Sequence, residues 1–271
     1  DVEAKTHKFI TTGKITNKFG IDLESAYKIL LMRHRFSRLS ICGLHMHIGS
    51  QITESEPFVA AIRKLTDFIA KLRAKGMILE YLNIGGGLGI IYNHETPQTA
   101  QKYAEKIIPM LKKTGLKILL EPGRFIVGNA GILVAKVLYI KSTPKKEFVI
   151  VDAGMNDLIR PALYDAFHQI VPLRKSGSAG SQMRKVDVVG PICESGDFFA
   201  KERRLPRLKE GDYIAVMSAG AYGFSMSSNY NSRRRAQEIM VVKNDVFVIR
   251  KRETNDDLVR QEIIPPFLMR I

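Results

Sequence analysis

Several features that would narrow the function of a 271-residue chain are scarce in this sequence. It has only two cysteines, Cys42 and Cys193, which lie far apart. This excludes a disulfide framework and favours a reducing compartment, which we expect to be the cytoplasm. Cysteine and histidine residues nowhere have the spacing of a zinc site, so we predict no metal. There is no run of eighteen apolar residues, and we therefore predict no membrane-spanning helix.

The charge balance is strongly basic, with a formal net charge of +15. Nucleic-acid binding is one interpretation of such a charge. The lysines and arginines are scattered, however, and no RNP, zinc-finger or helix-turn-helix pattern accompanies them. We therefore predict no nucleic-acid partner and favour either a solvated surface or a site for an anionic small molecule.

The first half of the chain alternates strand-like and helix-like segments. Apolar patterns predict strands over 39–48, 78–84 and 116–120, and helices over 56–74 and 97–113. Strands that alternate with helices across short loops are parallel. A (β/α)8 barrel needs about 250 residues. Residues 1–127 are therefore predicted to form about half of such a barrel.

The pattern changes after residue 128. Short β-like segments follow, separated by proline, glycine and serine, at 131–139, 148–151, 186–189, 213–216 and 245–249. We predict that residues 128–271 form an antiparallel β-sandwich or barrel domain with one short helix near 158–167.

Polar residues and glycines follow each of the three predicted parallel strands. The first strand runs into His47-Ile48-Gly49-Ser50, the second into Gly85-Gly86-Gly87, and the third into Glu121-Pro122-Gly123-Arg124. The carboxyl ends of parallel strands meet at one edge of the sheet, where ligands bind. We therefore expect an imidazole, a hydroxyl, a glycine turn, a carboxylate and a guanidinium to lie together.

This combination of groups suits pyridoxal phosphate. The glycine N–H groups and Arg124 suit a phosphate dianion. His47 offers a flat ring for stacking, and Glu121 offers an anion that keeps a pyridinium nitrogen protonated. The alternatives are an ordinary strand-end histidine and an ion pair between Glu121 and Arg124.

Three later segments carry further candidates. Arg160 suits a bidentate clamp on a substrate carboxylate, or is a surface arginine. The loop Cys193-Glu194-Ser195-Gly196-Asp197 places a thiol beside two carboxylates, or is only a polar turn. Tyr222 lies among small residues, as a phosphate-contacting hydroxyl would, or is a packed aromatic. Cys42 is predicted to be a small buried residue within the first strand.

Six stretches of the sequence resemble the diaminopimelate decarboxylases, which belong to the fold-type III, alanine-racemase-like family of pyridoxal-phosphate enzymes. They occur in the family's order and span nearly the whole chain. They are HMHIGSQ (45–51), NIGGGLGI (83–90), EPGRFIVGNAG (121–131), DAGMNDLIRPALYDAFH (152–168), GPICESGDFF (190–199) and AGAYGFSMSSNYNSR (218–233).

The resemblance implies a role for each candidate residue. The cofactor is bound by His47, Ser50, Gly85, Gly86, Gly87, Glu121, Arg124 and Tyr222. The substrate is bound by Arg124, Arg160, Tyr164, Glu194 and Tyr222. The catalytic residues are His47, which stacks on the cofactor ring, and Cys193, which protonates the reacting carbon across a dimer interface.

The implied function is the last step of lysine biosynthesis. In that step pyridoxal phosphate serves the decarboxylation of meso-2,6-diaminopimelate to L-lysine and carbon dioxide. The resemblance also implies a homodimer with shared active sites. The alternatives are a related decarboxylase acting on arginine, ornithine or carboxynorspermidine, and a non-catalytic remnant.

One departure from the family pattern qualifies this expectation. The family's Schiff-base lysine lies in a Tyr-Ala-x-Lys-Ala-Asn pattern, which does not occur here. We therefore expect this chain to lack the N-terminal third of the family's sequence, to hold the C-terminal half of the barrel, and to be inactive alone.

Overall fold

The structure is a computed structural model that describes residues 18–173 and 182–270. The chain divides into two compact units, the first ending at Ala130 and the second beginning at Gly131. The first seventeen residues of the predicted barrel segment lie outside the described residues. Within the described ranges, no helix has the length and apolar character needed to cross a membrane.

The first unit is built from three parallel strands and the helices between them. In chain order its elements are α1 (Leu23–Leu31), β1 (Gly43–His45), α2 (Glu56–Arg73), β2 (Tyr81–Asn83), α3 (Ala100–Lys112), β3 (Lys117–Leu119) and α4 (Gly123–Val127). The strands are ordered β1-β2-β3, with Leu44, Leu82 and Ile118 in register. The prediction of parallel strands separated by two helices is confirmed.

Local sequence explains where the helices begin and end. The Asp22 side chain accepts a hydrogen bond from the N–H of Ser25 at 2.8 Å and caps α1, and Thr99 caps α3 through the N–H of Lys102. Gly76 follows α2 with φ of +71°, a conformation that glycine adopts without steric cost.

The core of the first unit lies between α2, α3 and the sheet. One face of α2 is buried through Phe58, Ile62, Leu65, Ile69 and Leu72. Full burial of each such side chain contributes about 1.5–3 kcal/mol. Because the helices cover one side of the sheet, the strand ends remain available at its edge for a site.

The strands are shorter than the apolar runs that predicted them. The run over 39–48 contains only β1, because its later residues turn into the loop that begins near His47. Cys42 precedes this edge strand and is exposed, so the prediction that it is buried was wrong.

The second unit contains a six-stranded sheet and a separate hairpin. Its strands are β4 (Leu133–Ser142), β5 (Glu147–Val151), β6 (Ile170–Pro172), β7 (Met183–Val189), β8 (Phe198–Pro206), β9 (Tyr213–Val216), β10 (Glu238–Val242) and β11 (Asp245–Arg250). The helices are α5 (Arg160–Tyr164) and α6 (Asn255–Val259). The order of the main sheet is β6-β9-β4-β5-β7-β8, and β10 pairs with β11.

The pairs in this sheet are antiparallel except for β5 and β7. An entirely antiparallel domain was therefore the wrong prediction. The physical reason is the long connection from β5 to β7, which carries α5 and also β6, a strand that pairs with β9. Such a crossover returns the chain in its original direction. The core of this sheet includes Val137, Val149, Val188 and Ile214.

Candidate active site

The three strand ends of the first unit meet as expected. The N–H of Gly86, after β2, donates to Nδ1 of His47, after β1, at 3.3 Å. The N–H of Glu121, after β3, donates to the carbonyl of Gly85 at 2.8 Å. These two hydrogen bonds, one to a side chain and one between main chains, hold the three loops together.

Gly85, Gly86 and Gly87 allow this close approach of main chains. A Cβ atom at any of them would lie within 2.4 Å of a carbonyl oxygen on a neighbouring loop. The obstructing carbonyls belong to Met46 (2.4 Å), Glu121 (2.0 Å) and Gly49 (2.4 Å), respectively. Glycine is therefore needed at these three positions because a Cβ atom does not fit there.

Some of the predicted phosphate donors already have partners within the chain. The N–H of Gly85 donates to Oδ1 of Asn83 at 2.8 Å, and that of Gly86 donates to His47. The Gly87 carbonyl accepts from the N–H of Ile52 at 2.8 Å. The phosphate role of the three glycines stays a prediction.

Arg124 lies in the first turn of α4 with its guanidinium buried. It donates from Nη2 to the Ser50 hydroxyl at 2.9 Å and from Nη1 to the Tyr92 hydroxyl at 2.6 Å. A guanidinium and two hydroxyls are thus gathered at one place, and these are groups from which a phosphate accepts hydrogen bonds. Tyr92 was missed in the sequence, where nothing ties it to Arg124.

Glu121 presents an exposed carboxylate next to the glycine turn. Its Oε1 accepts from Nδ2 of Asn83 at 2.7 Å and lies 3.6 Å from Nε2 of His45. Among the described residues the carboxylate pairs with these groups and not with Arg124, so the alternative of an ion pair between Glu121 and Arg124 was wrong. Asn83, which sequence reasoning also missed, holds both Glu121 and the glycine turn.

The His47 imidazole is half-buried. Burial lowers its pKa below the ordinary value of 6.5, while the Glu121 carboxylate opposes that shift. A ring that is neutral at neutral pH can accept the hydrogen bond from Gly86 and still offer its face to a ligand. Phosphate donors, a carboxylate and a neutral ring suit the phosphate, the ring nitrogen and the ring face of pyridoxal phosphate, so the residues present fit these parts of that cofactor by their chemistry.

In the second unit, Arg160 opens α5 and is buried. Its Nη1 lies 2.8 Å from Nε2 of His168, a histidine with no exposed surface. Tyr164, at the other end of α5, is half-buried. The alternative that Arg160 is a surface residue was therefore wrong. His168 was not predicted as a site residue, although it ends the stretch that resembles the family.

Cys193 and Glu194 lie on an exposed loop that meets a second turn, Tyr230–Ser232. The Tyr230 hydroxyl donates to Oε2 of Glu194 at 2.5 Å, and Nδ2 of Asn231 lies 3.7 Å from the Cys193 sulfur. The hydrogen bond to Glu194 raises the pKa of Tyr230. Tyr230 and Asn231, which were not predicted as site residues, thus contact the predicted residues Glu194 and Cys193.

Asp197, the other carboxylate of that loop, is buried and has a different role. It accepts hydrogen bonds from the N–H groups of Met155 at 2.6 Å and Ile192 at 2.7 Å. Burial raises its pKa, and these hydrogen bonds oppose the shift. It therefore ties the loop to the turn after β5, which leaves Glu194 as the accessible acid.

Tyr222 lies in the turn after β9 with a left-handed backbone, φ +58°, and its side chain is 41% exposed. The alternative of a packed aromatic therefore fits poorly. Its predicted contact with phosphate stays a prediction.

Comparison with known proteins shows which family of enzymes this chain resembles. The profile of the family described as "Pyridoxal-dependent decarboxylase, C-terminal sheet domain" matches residues 22–220. Diaminopimelate decarboxylase of Aquifex aeolicus (strain VF5) is 46% identical over 266 residues, which are 97% of this chain and 62% of that relative. The chain thus spans less than two thirds of the length of this curated relative.

Solved structures of decarboxylases are also similar to this chain. The crystal structure of diaminopimelate decarboxylase from Helicobacter pylori complexed with L-lysine matches with a TM-score of 0.89 and 42% identity, over 96% of this chain and 64% of that one. The lysine/ornithine decarboxylase of Vibrio vulnificus complexed with cadaverine matches with a TM-score of 0.74 and 27% identity, over 82% of this chain and 60% of that one.

Proposed function

We propose, from the premise that this chain belongs to the family of pyridoxal-dependent decarboxylases, that its residues serve the decarboxylation of meso-2,6-diaminopimelate to L-lysine and carbon dioxide. The observation that carries the proposal is the meeting of three strand ends in the first unit. There Ser50 and Arg124 are hydrogen-bonded to each other, and Glu121 stands beside the glycine turn. This arrangement supplies phosphate donors and a ring-nitrogen partner together.

In this proposal the first unit holds the cofactor. Ser50, Arg124 and the glycines at 85–87 bind its phosphate, a role that the resemblance to the family also implies for Tyr222. Glu121 accepts from the ring nitrogen and keeps it protonated, while His47 stacks on the ring. When bound, pyridoxal phosphate supplies an electron-withdrawing ring that stabilises the charge left on a carbon losing its carboxylate.

The second unit provides the groups for the substrate. Arg160 and Tyr164 bind substrate carboxylate, and Glu194 binds an amino group. The resemblance to the family implies substrate contacts for Arg124 and Tyr222 as well. A buried guanidinium suits the distal carboxylate of diaminopimelate, which ornithine and arginine do not have. Cys193 delivers a proton to the carbon that has lost carbon dioxide.

The wider organisation follows from the same reasoning. We infer that residues 1–127 belong to a (β/α)8 barrel as its C-terminal half, and that residues 128–271 form the β domain of that fold, of sandwich or barrel type. The working enzyme is a cytoplasmic homodimer in which a second copy supplies Cys193. The exposure of Cys193 and Glu194 supports this arrangement.

The test is a substrate panel with the natural gene product loaded with pyridoxal phosphate. We expect carbon dioxide and L-lysine from meso-diaminopimelate, and at least 100-fold lower kcat/KM with ornithine, arginine, carboxynorspermidine and L-lysine. Arg160→Lys keeps the charge but not the planar fork, and should lose most of this preference. Arg204→Lys, an exposed arginine of β8, is the matched control. Release of carbon dioxide from ornithine or lysine but not from diaminopimelate would favour the alternative decarboxylase.

A further inference from the structure

We propose that His168 is a positioning residue: as a neutral imidazole protonated on Nδ1, it fixes the Arg160 guanidinium for a substrate carboxylate. The inference rests on the proposed function, in which Arg160 binds that carboxylate. It concerns a side chain with no exposed surface, whose two ring nitrogens both have hydrogen-bond partners.

The partners of His168 define its protonation. Nδ1 lies 2.8 Å from the carbonyl oxygen of Met217, and a carbonyl can only accept, so Nδ1 carries a hydrogen. Nε2 lies 2.8 Å from Nη1 of Arg160, and a guanidinium can only donate, so Nε2 carries a lone pair. One ring with one hydrogen and one lone pair is neutral.

The chain path explains how His168 reaches Arg160. After α5 the chain reverses at Asp165, whose backbone is left-handed with φ 52° and ψ 33°. The N–H of Ala166 then donates back to the carbonyl of Arg160 at 3.3 Å. The segment that carries the imidazole therefore folds back against the start of the helix that carries the guanidinium.

Three contacts fix this segment, two from Arg203 and one from Met217. Arg203, on β8, donates from Nη1 to the carbonyl of His168 at 2.8 Å, and its guanidinium lies 3.8 Å from the Phe167 ring centre. On the other side the N–H of Met217, just after β9, donates to the carbonyl of Gln169 at 2.8 Å. The segment that carries the imidazole is thus held through the main-chain carbonyls of His168 and Gln169.

A neutral partner suits this task better than an acid would. A carboxylate would neutralise the guanidinium that the substrate needs, whereas an imidazole lone pair orients it and leaves its charge intact. An arginine that is already ordered also loses less rotamer freedom when a carboxylate binds. His168 therefore acts on substrate affinity through Arg160 and needs no contact with the substrate.

The experiment compares His168→Gln with His168→Phe in the natural gene product loaded with pyridoxal phosphate. Glutamine can both accept from Arg160 and donate to Met217, so its KM for diaminopimelate should stay within about 3-fold of wild type. Phenylalanine can do neither, and KM should rise about 10- to 100-fold with little change in kcat. Equal KM values for the phenylalanine variant and wild type would overturn the proposal.

Ligand binding separates positioning from a general loss of structure. L-lysine retains a carboxylate, whereas cadaverine has two amino groups and no carboxylate. His168→Phe should weaken binding of L-lysine about 10-fold or more and leave cadaverine within about 2-fold. An equal loss for both ligands would mean that His168 is only a packing residue.

The ring itself can be observed without turnover. In a ¹⁵N-histidine spectrum of the wild-type protein, the signal absent from His168→Gln should be that of a neutral ring with its hydrogen on Nδ1. A cationic ring, or one protonated on Nε2, would refute the assignment even if His168→Phe failed to fold. If wild type released no carbon dioxide from diaminopimelate, the proposed function would fail, and this spectrum would still decide the state of His168.

Discussion

The glycine turn of the first unit and the candidate side chains of the second unit are held by different means. In the first unit, main-chain hydrogen bonds and glycines pack three strand ends together, as where the N–H of Glu121 meets the carbonyl of Gly85. In the second unit, side chains pair with side chains: Arg160 with His168 and Glu194 with Tyr230. The first design tolerates no added atom, because a carbonyl oxygen cannot move aside as a side chain can. The second depends on charge and protonation, because its hydrogen bonds involve ionisable groups.

The largest effect should come from Gly86→Ala. Its Cβ would lie 2.0 Å from the Glu121 carbonyl oxygen and 2.9 Å from its carbon, so two strand ends must separate. We expect a loss of about 3 kcal/mol or more in the free energy of unfolding, measured by urea titration of the natural protein.

Gly123→Ala is the control for that change, because nothing lies within 4 Å of its Cβ position. We expect Gly123→Ala either to leave the free energy of unfolding unchanged or to raise it by up to about 1 kcal/mol. If Gly86→Ala were as stable as Gly123→Ala, close main-chain packing would not be what distinguishes the first unit.

An intermediate effect is expected at Glu253, which binds Arg235 and Asn229 beside the Tyr230–Ser232 turn. The hydrogen bond from the Arg235 side chain lowers the pKa of Glu253 to about 2 from an ordinary value of 4.5. A lowered carboxyl pKa contributes stability that is present above about pH 4.5 and lost as the pH falls toward 2. After allowance for solvent screening, we expect this contribution to the free energy of unfolding to be about 1–2 kcal/mol.

Glu253→Gln should remove this contribution at pH 7 and flatten the fall in stability between pH 5 and 3, both measured by urea unfolding. Glu210→Gln, at an exposed glutamate, is the control. An unchanged acid slope in Glu253→Gln would show that charge pairing does not govern stability in the second unit.

The smallest effect should come from Tyr230→Phe. The change removes one hydroxyl that orients Glu194, an exposed carboxylate, so the free energy of unfolding should change by less than about 0.5 kcal/mol. KM for diaminopimelate should rise about 3- to 10-fold if Glu194 binds the substrate. Steady-state kinetics of Tyr230→Phe would check this, with Tyr213→Phe, at another partly exposed tyrosine, as the control. Identical KM values for the two variants would mean that Tyr230 does not orient a binding group.

Sequence patterns predicted most of the first unit because its signals are local. The apolar spacing from Phe58 to Leu72 marks α2, which lies within the helix predicted over 56–74. Similar reasoning missed β8, because its charged run Lys201-Glu202-Arg203-Arg204 lacks the apolar pattern that predicts a strand. It also failed for the direction of β7, since direction depends on where a long connection returns.

The sequence by itself determined the family, the cofactor chemistry and the meeting of three strand ends, because these follow from motifs and from the geometry of parallel strands. Only the tertiary structure decided which neighbour holds each group. Asn83 holds Glu121 across 38 positions, Tyr92 holds Arg124 across 32, and Tyr230 holds Glu194 across 36. No local pattern records such pairs, because hydrogen-bond partners are selected by the folded path of the main chain and not by distance along it.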